Sequence, residues 1–219
     1  KINNIPFFCT CGVGFDAFIS LKFADSGKRG LLTYLENTLH ESLTYQPETY
    51  EIENEEGTMK YKAWLIACGN ASQYGNDAYI APQASLTDGL MDVTIMEPFT
   101  VLDVPSLSFQ LFNKTIDQNS RVKTMRAKKI KIHRVNDGVM HFDGDPLMAG
   151  KELEVEIVPA GLRVIASEKK KEKPENPNLL QVISNYFSGL HLKGEEMMAK
   201  RQSHLFELNR TLLGKLSKK

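Results

Sequence analysis

Two acids astride a glycine, Asp143-Gly144-Asp145-Pro146, are the residues best suited in type and spacing to acid–base chemistry. Gly144 permits a sharp reversal of the backbone, and Pro146 pushes Asp145 towards an extended conformation. Two carboxylates held this close crowd one another, which raises a proton affinity. A group shifted in that way suits general-base work, provided it comes within about 3 Å of the proton it takes. The same four residues also compose an ordinary β-turn, and their spacing leaves both readings open.

A second acid-bearing stretch runs from Gly69 to Val93, GNASQYGNDAYIAPQASLTDGLMDV. Asp88-Gly89 favours a tight turn, because Asp bonds its own backbone and Gly accepts positive φ. Leu90 to Met96 then reads as a strand, its Val and Ile suited to a pleated surface. Asp88 is expected on a rigid turn at a strand mouth, with Asp92 inside the strand. His133 and His141 read as surface or cleft polar groups rather than metal ligands. Cys9, Cys11 and Cys68 lack the further ligands of a zinc site and read as reduced core thiols. Gly12-Val13-Gly14 has neither the third glycine nor the βαβ setting of a dinucleotide loop, and no Walker-type sequence occurs.

The elements that must position these residues are mostly strands. Ile5 to Thr10 is a short apolar run that reads as a buried strand, followed by a turn at Gly12-Val13-Gly14, and Phe15 to Ala24 has helical spacing, as does Gly30 to Ser42. Thr49 to Asn54 alternates up to a turn at Glu55-Glu56-Gly57, and Lys60 to Cys68 reads as one strand entering a core. Val101 to Lys114 is helical, limited or kinked by Pro105. Ser120 to Ala127 is a basic lead-in to a sheet. Lys128 to His133 and Val139 to Asp143, joined through Asn136-Asp137-Gly138, read as a hairpin with His141 and Asp143 on one face. Glu152 to Val158 and Leu162 to Ala166 read as a final hairpin.

The 219 residues, 42% apolar and 25% charged, suffice for one globular domain and an appendage. Formal net charge is zero, which argues against nucleic acid as a partner. Charge is nonetheless uneven: from Glu168 onward 11 Lys and Arg face 6 acids, against 16 and 21 before it. Residues 168–178 are charged, Pro-containing and without apolar side chains, as in a linker. Residues 179–219 carry two amphipathic helical patterns. They suit a helical tail docking on the body or on a second copy in a homodimer, or else a basic contact with a membrane surface. No run is long enough to span a membrane and no signal peptide opens the chain, so the expected setting is cytoplasmic. The chain starts at Lys1, with its first Met at position 59, and reads as a fragment.

Gly69-Asn70, Tyr74-Gly75-Asn76, Ile80 to Ala84 and Asp88 to Val93, with Gly12 to Ala17 upstream and Asp143 to Pro146 downstream, resemble the C-terminal domain of the diacylglycerol kinase family. That family includes bacterial lipid kinases and sphingosine kinases. The resemblance covers most of residues 5–166. It implies a mainly β, antiparallel sandwich-like domain, the second domain of an NAD kinase-like pair, at residues 1–167. It also implies ATP-dependent phosphorylation of a lipid alcohol, either diacylglycerol or a sphingoid-type base, with peripheral membrane association. By position Asp145 takes the family's general-base role, with Asp where the family usually has Glu. Asp143 and Gly144 line the cleft towards the nucleotide. Mg²⁺ is expected at Asp88 with the carbonyls of Ser85 and Leu90. The Gly-Gly-Asp-Gly-Thr loop of the family's nucleotide-binding N-terminal domain does not occur here. The chain is therefore expected to need that domain as a partner and to be inactive alone. The alternative is a non-catalytic lipid-binding or regulatory module on the same sandwich.

Overall fold

Among the described residues, ten antiparallel strands form two sheets, and their alternating side chains build the core between them. The computed structural model describes residues 1–26, 45–100 and 102–165. The larger sheet has the order β6-β5-β4-β1-β8-β9, from Val122–Ala127, Met91–Met96, Leu65–Gly69, Thr10–Gly14, Gly138–Phe142 and Asp145–Ala149. The smaller has the order β10-β7-β2-β3, from Glu152–Glu156, Lys129–Arg134, Glu48–Asn54 and Gly57–Ala63. This is the expected mainly β sandwich.

Period-2 alternation sets the inner layer. Val13, Ile66, Val93 and Met140 from the large sheet share a buried cluster with Tyr50, Ile52, Ile130, Ile132, Leu153 and Val155 from the small one. The opposite face of the large sheet is covered as well. Helix α1, Phe15–Ser26, packs on β1, β8 and β9. Leu65 and Ala67 of β4 join Phe15, Ile19, Ile80 and Leu107 of α2, Val104–Phe112, in a second cluster. Trp64 organises that layer, with Phe15 stacked at 3.7 Å between ring centroids and Phe99 edge-on at 4.5 Å. Burying apolar side chains on both faces explains why β1, β4 and β5 are buried throughout.

The first strand is not Ile5 to Thr10, where Phe8 and Cys9 are exposed, but Thr10–Gly14, so Gly12-Val13-Gly14 is no turn but part of β1, where a Cβ on Gly12 would meet the Ile66 carbonyl oxygen at 2.5 Å. The glycine serves close packing rather than reversal. Lys60 to Cys68 is two strands: β3 ends at Ala63 in the small sheet, and after Trp64 the chain enters the large one as β4. Pro105 does not kink α2 but lies in its first turn, where its missing N–H costs nothing.

β7 and β8 do not pair, although the Asn136-Asp137-Gly138 signal between them suggests a hairpin. They belong to different sheets. β7 pairs with β2 and β10 instead. The buried Arg134 stabilises the crossing. Its guanidinium donates to the carbonyls of Gly138 (2.7 Å), Ala149 (2.8 Å), Val139 (3.0 Å) and Gly150 (3.0 Å). Residues 161–165 form no strand, so the last expected hairpin is absent, and β10 pairs with β7. Cys11 and Cys68 are buried register partners, whereas Cys9 precedes β1 and is exposed, contrary to the expected core thiol. The helix expected at 30–42, the linker and the helical tail lie outside the described residues.

Candidate active site

The Asp143-Gly144 dipeptide closes a two-residue hairpin between β8 and β9, in which Phe142 faces Asp145. Both turn residues have positive φ, 49° and 90°, as a type I′ turn requires, and Asp followed by Gly is the pair that tolerates it. The two acids then diverge. Asp143 folds back and accepts three consecutive backbone N–H groups, from Phe8 (2.7 Å), Cys9 (2.7 Å) and Thr10 (3.1 Å). Its own N–H donates to the Thr10 carbonyl at 2.8 Å. Asp143 therefore clips the hairpin tip to the entry of β1. Asp145, first residue of the edge strand β9, is exposed, and its carboxylate makes no hydrogen bond or ion pair among the described residues.

Behind this hairpin lies a polar cluster that sequence reasoning missed. Asp16, in the first turn of α1, accepts from the Tyr74 hydroxyl at 2.9 Å. The same Oδ2 lies 3.1 Å from His141 Nε2, and the Ala17 N–H meets Oδ1 at 2.8 Å. His141 is buried, not a surface or cleft group, and its Nδ1 has no partner among the described residues. Gly12 lies against this pair: a Cβ there would stand 2.9 Å from Asp16 Oδ2 and 3.2 Å from His141 Nε2. Two of the three separated motifs contribute a member, Asp16 and Tyr74, and His141 lies on β8 two residues before the third. The available signal was Asp16 itself, an acid within an otherwise apolar segment that follows two glycines. His133 is a surface residue, with Glu53 and Glu152 carboxylates 3.8 and 3.9 Å away.

The Asp88 loop stands at the head of β5. Gly89 takes φ 74°, and Asp88 Oδ1 accepts the Leu90 N–H at 3.0 Å, the expected tight turn. Ser85 Oγ lies 3.3 Å from Thr87 Oγ1 within the same loop. Asp92 is the register partner of Arg126 on β6, and Arg126 Nε donates to its Oδ2 at 3.3 Å. The far end of that guanidinium, Nη2, donates to Asp88 Oδ2. The Leu90 N–H, and then Arg126, hold the Asp88 carboxyl below its ordinary range. Asp92 moves the opposite way, because burial outweighs the same guanidinium.

The loop offers only hard donors: one carboxylate, hydroxyls and main-chain carbonyls. Among the described residues no three His, Cys, Asp or Glu side chains converge. A cation there would rest on a single carboxylate, carbonyls and water, which is how Mg²⁺ is commonly held. The donor chemistry fits Mg²⁺, with Arg126 already on one oxygen of Asp88. The hairpin of Asp143, Gly144 and Asp145 and the loop of Ser85, Asp88 and Leu90 lie on different strands of the large sheet, with β4 and β1 between β5 and β8.

Residues 10–166 match the YegS C-terminal NAD kinase beta sandwich-like domain, and the chain belongs to that lipid kinase family. Lipid kinase YegS of Escherichia coli K12 is 30% identical over 134 residues, 61% of this chain and 43% of that protein. A candidate lipid kinase YegS of Salmonella arizonae is 28% identical over 166 residues, 74% of this chain and 54% of that one. The chain thus spans about half the length of these curated relatives. The crystal structure of a candidate diacylglycerol kinase from Bacillus anthracis superposes with a TM-score of 0.52 at 16% identity, over 73% of this chain and 52% of that one, a likeness of fold. No helix among the described residues is long and apolar enough to cross a membrane.

Proposed function

We propose that this chain is the lipid-binding, base-supplying half of an ATP-dependent lipid kinase acting on a diacylglycerol- or sphingoid-type alcohol. One observation carries the assignment of the base. Of the two acids at the hairpin tip, Asp143 is committed to three backbone N–H groups, and Asp145 alone keeps its carboxylate exposed and unengaged. Asp145 takes the proton of the lipid hydroxyl as that oxygen attacks the terminal phosphorus of ATP, and ADP leaves. Phosphoryl transfer asks little of a protein beyond positioning and charge stabilisation. The type I′ turn and the Asp143 clip give Asp145 a rigid mount, which supports that role.

Asp143 and Gly144 face the nucleotide side of the cleft. Ser85, Asp88 and Leu90 would hold Mg²⁺, which when bound supplies a hard positive charge to this end of the sheet. The nucleotide itself is bound by a partner domain bearing the Gly-Gly-Asp-Gly-Thr loop, consistent with a chain half the length of its relatives. The basic amphipathic pattern of residues 179–219 gives a peripheral contact with the membrane that holds the substrate.

The test is transfer of labelled γ-phosphate from ATP to diacylglycerol or sphingosine in mixed micelles. The 219-residue chain alone is expected to give no product. The chain joined to a nucleotide-binding domain of this family is expected to give phosphorylated lipid. Turnover by the chain alone, or none by the joined protein with any lipid alcohol, contradicts the reading.

A further inference from the structure

We infer that Arg126 is a tethered counter-ion of the Asp88 loop, competing with a divalent cation for the Asp88 carboxylate. The inference rests on the proposed reading of Asp88 as a metal ligand. Asp92 and Arg126 are register partners on β5 and β6. Asp92 is only 8% exposed, and its Oδ2 receives Arg126 Nε at 3.3 Å. That bond anchors the root of the guanidinium. The fork beyond it reaches past Gly89 to Asp88, where Nη2 donates to Oδ2, while the Leu90 N–H takes Oδ1.

Both oxygens of the single carboxylate available to a cation are thus engaged. One of them is bonded to a cationic guanidinium, a charge-assisted contact stronger than a neutral one. A divalent ion at Asp88 must share that oxygen with a guanidinium, which repels it, or displace Nη2. Displacement is cheap here for a structural reason. Two acids flank one arginine, so a guanidinium released from Asp88 still neutralises the buried Asp92. No charge is stranded in either state. The loop accordingly has two closed forms, one pinned by Arg126 and one pinned by the ion. The affinity for the ion is set by how readily the fork lets go.

The experiment measures Mn²⁺ binding to the 219-residue chain by electron paramagnetic resonance, with Mg²⁺ as competitor. It compares wild type with Arg126→Gln, Arg126→Lys and Asp88→Asn. Arg126→Gln removes the competing charge and is expected to bind Mn²⁺ about three- to tenfold more tightly, the range set by a partly exposed ion pair. Arg126→Lys keeps the charge without the fork and is expected to fall between. Asp88→Asn is expected to abolish binding. Equal or weaker binding by Arg126→Gln, with Asp88→Asn still abolishing it, overturns the competition and leaves the metal site standing. No binding in any variant, or binding indifferent to Asp88→Asn, overturns the metal reading and the competition with it. Circular dichroism without metal checks the fold. If Arg126→Gln does not fold, the ratio between Arg126→Lys and wild type decides, a ratio at or below one overturning the inference.

Discussion

His141 Nε2 lies 3.1 Å from Oδ2 of Asp16, a residue 125 positions earlier, and both side chains are buried. This pair joins the start of α1 to the strand that carries the Asp143-Gly144 turn. Removing one partner of a buried pair leaves the other without its neutralising or hydrogen-bonding group. His141→Ala is expected to destabilise the chain by about 3 kcal/mol in urea denaturation, and Asp16→Asn by less, since the amide still bonds. Gly12→Ala is expected to be at least as damaging as His141→Ala, because its Cβ would meet Ile66 O at 2.5 Å. A Gly12→Ala protein of wild-type stability would show that the close approach is not a constraint.

Asp143 is expected to act as a clip rather than as an acid–base group. Asp143→Ala leaves three N–H groups without an acceptor and places a non-glycine residue at φ 49° with nothing to stabilise it. A loss of about 2–3 kcal/mol follows, together with faster amide exchange at Phe8, Cys9 and Thr10. Asp143→Asn tolerates the left-handed conformation and keeps one acceptor, so it should recover part of both. Unchanged exchange at those three amides in Asp143→Ala would contradict the clip.

Arg134 is expected to be irreplaceable by lysine. Its guanidinium bonds four carbonyl oxygens at once, where the chain passes from the small sheet to the large. An ammonium offers three donors from one point and cannot span them. Arg134→Lys should lose about 2 kcal/mol and Arg134→Met more, since the carbonyls are then left bare. Chemical denaturation of the three proteins checks the order.

Acid destabilisation should run in part through Asp103. Its Oδ2 accepts the Thr100 N–H at 2.8 Å and the Thr100 hydroxyl at 2.9 Å, and those bonds, the backbone one first, hold its carboxyl below the usual 3.8. A carboxyl lowered on folding gives stability that is complete above 3.8 and lost as pH falls through the lower folded value. Asp103→Asn should therefore flatten the fall in Tm below about pH 4. An unaltered acid limb would remove Asp103 from the account.

The class of fold was legible because it depends on alternation, turns and motif order, all of which are local. What failed was the assignment of strands to sheets. The Asn136-Asp137-Gly138 signal is a good turn, but a turn does not say whether the next strand returns to the same sheet. Arg134, which bonds both sides of that crossing, looks from the sequence like one more basic residue beside Lys131 and His133. Trp64 likewise gives no local sign that Lys60 to Cys68 breaks there. At the site, the Asp88 and Asp143-Gly144 turns were readable from residue type, but the strand Asp145–Ala149 that makes the second a hairpin was not. The Asp16–His141 pair was not, since contact over 125 positions leaves no periodicity. The roles of the two hairpin acids differ only because Asp143 folds back onto Phe8–Thr10, a tertiary contact.

The role proposed for Asp145 is that of proton acceptor in a lipid kinase. It is tested most directly by turnover of diacylglycerol and ATP in a protein carrying this chain and its nucleotide-binding half, with Asp145→Ala compared against wild type. The expected result is a fall in kcat of about a hundredfold or more, with Tm unchanged because Asp145 has no partner to lose. Near wild-type kcat in Asp145→Ala, with the fold intact, would contradict it.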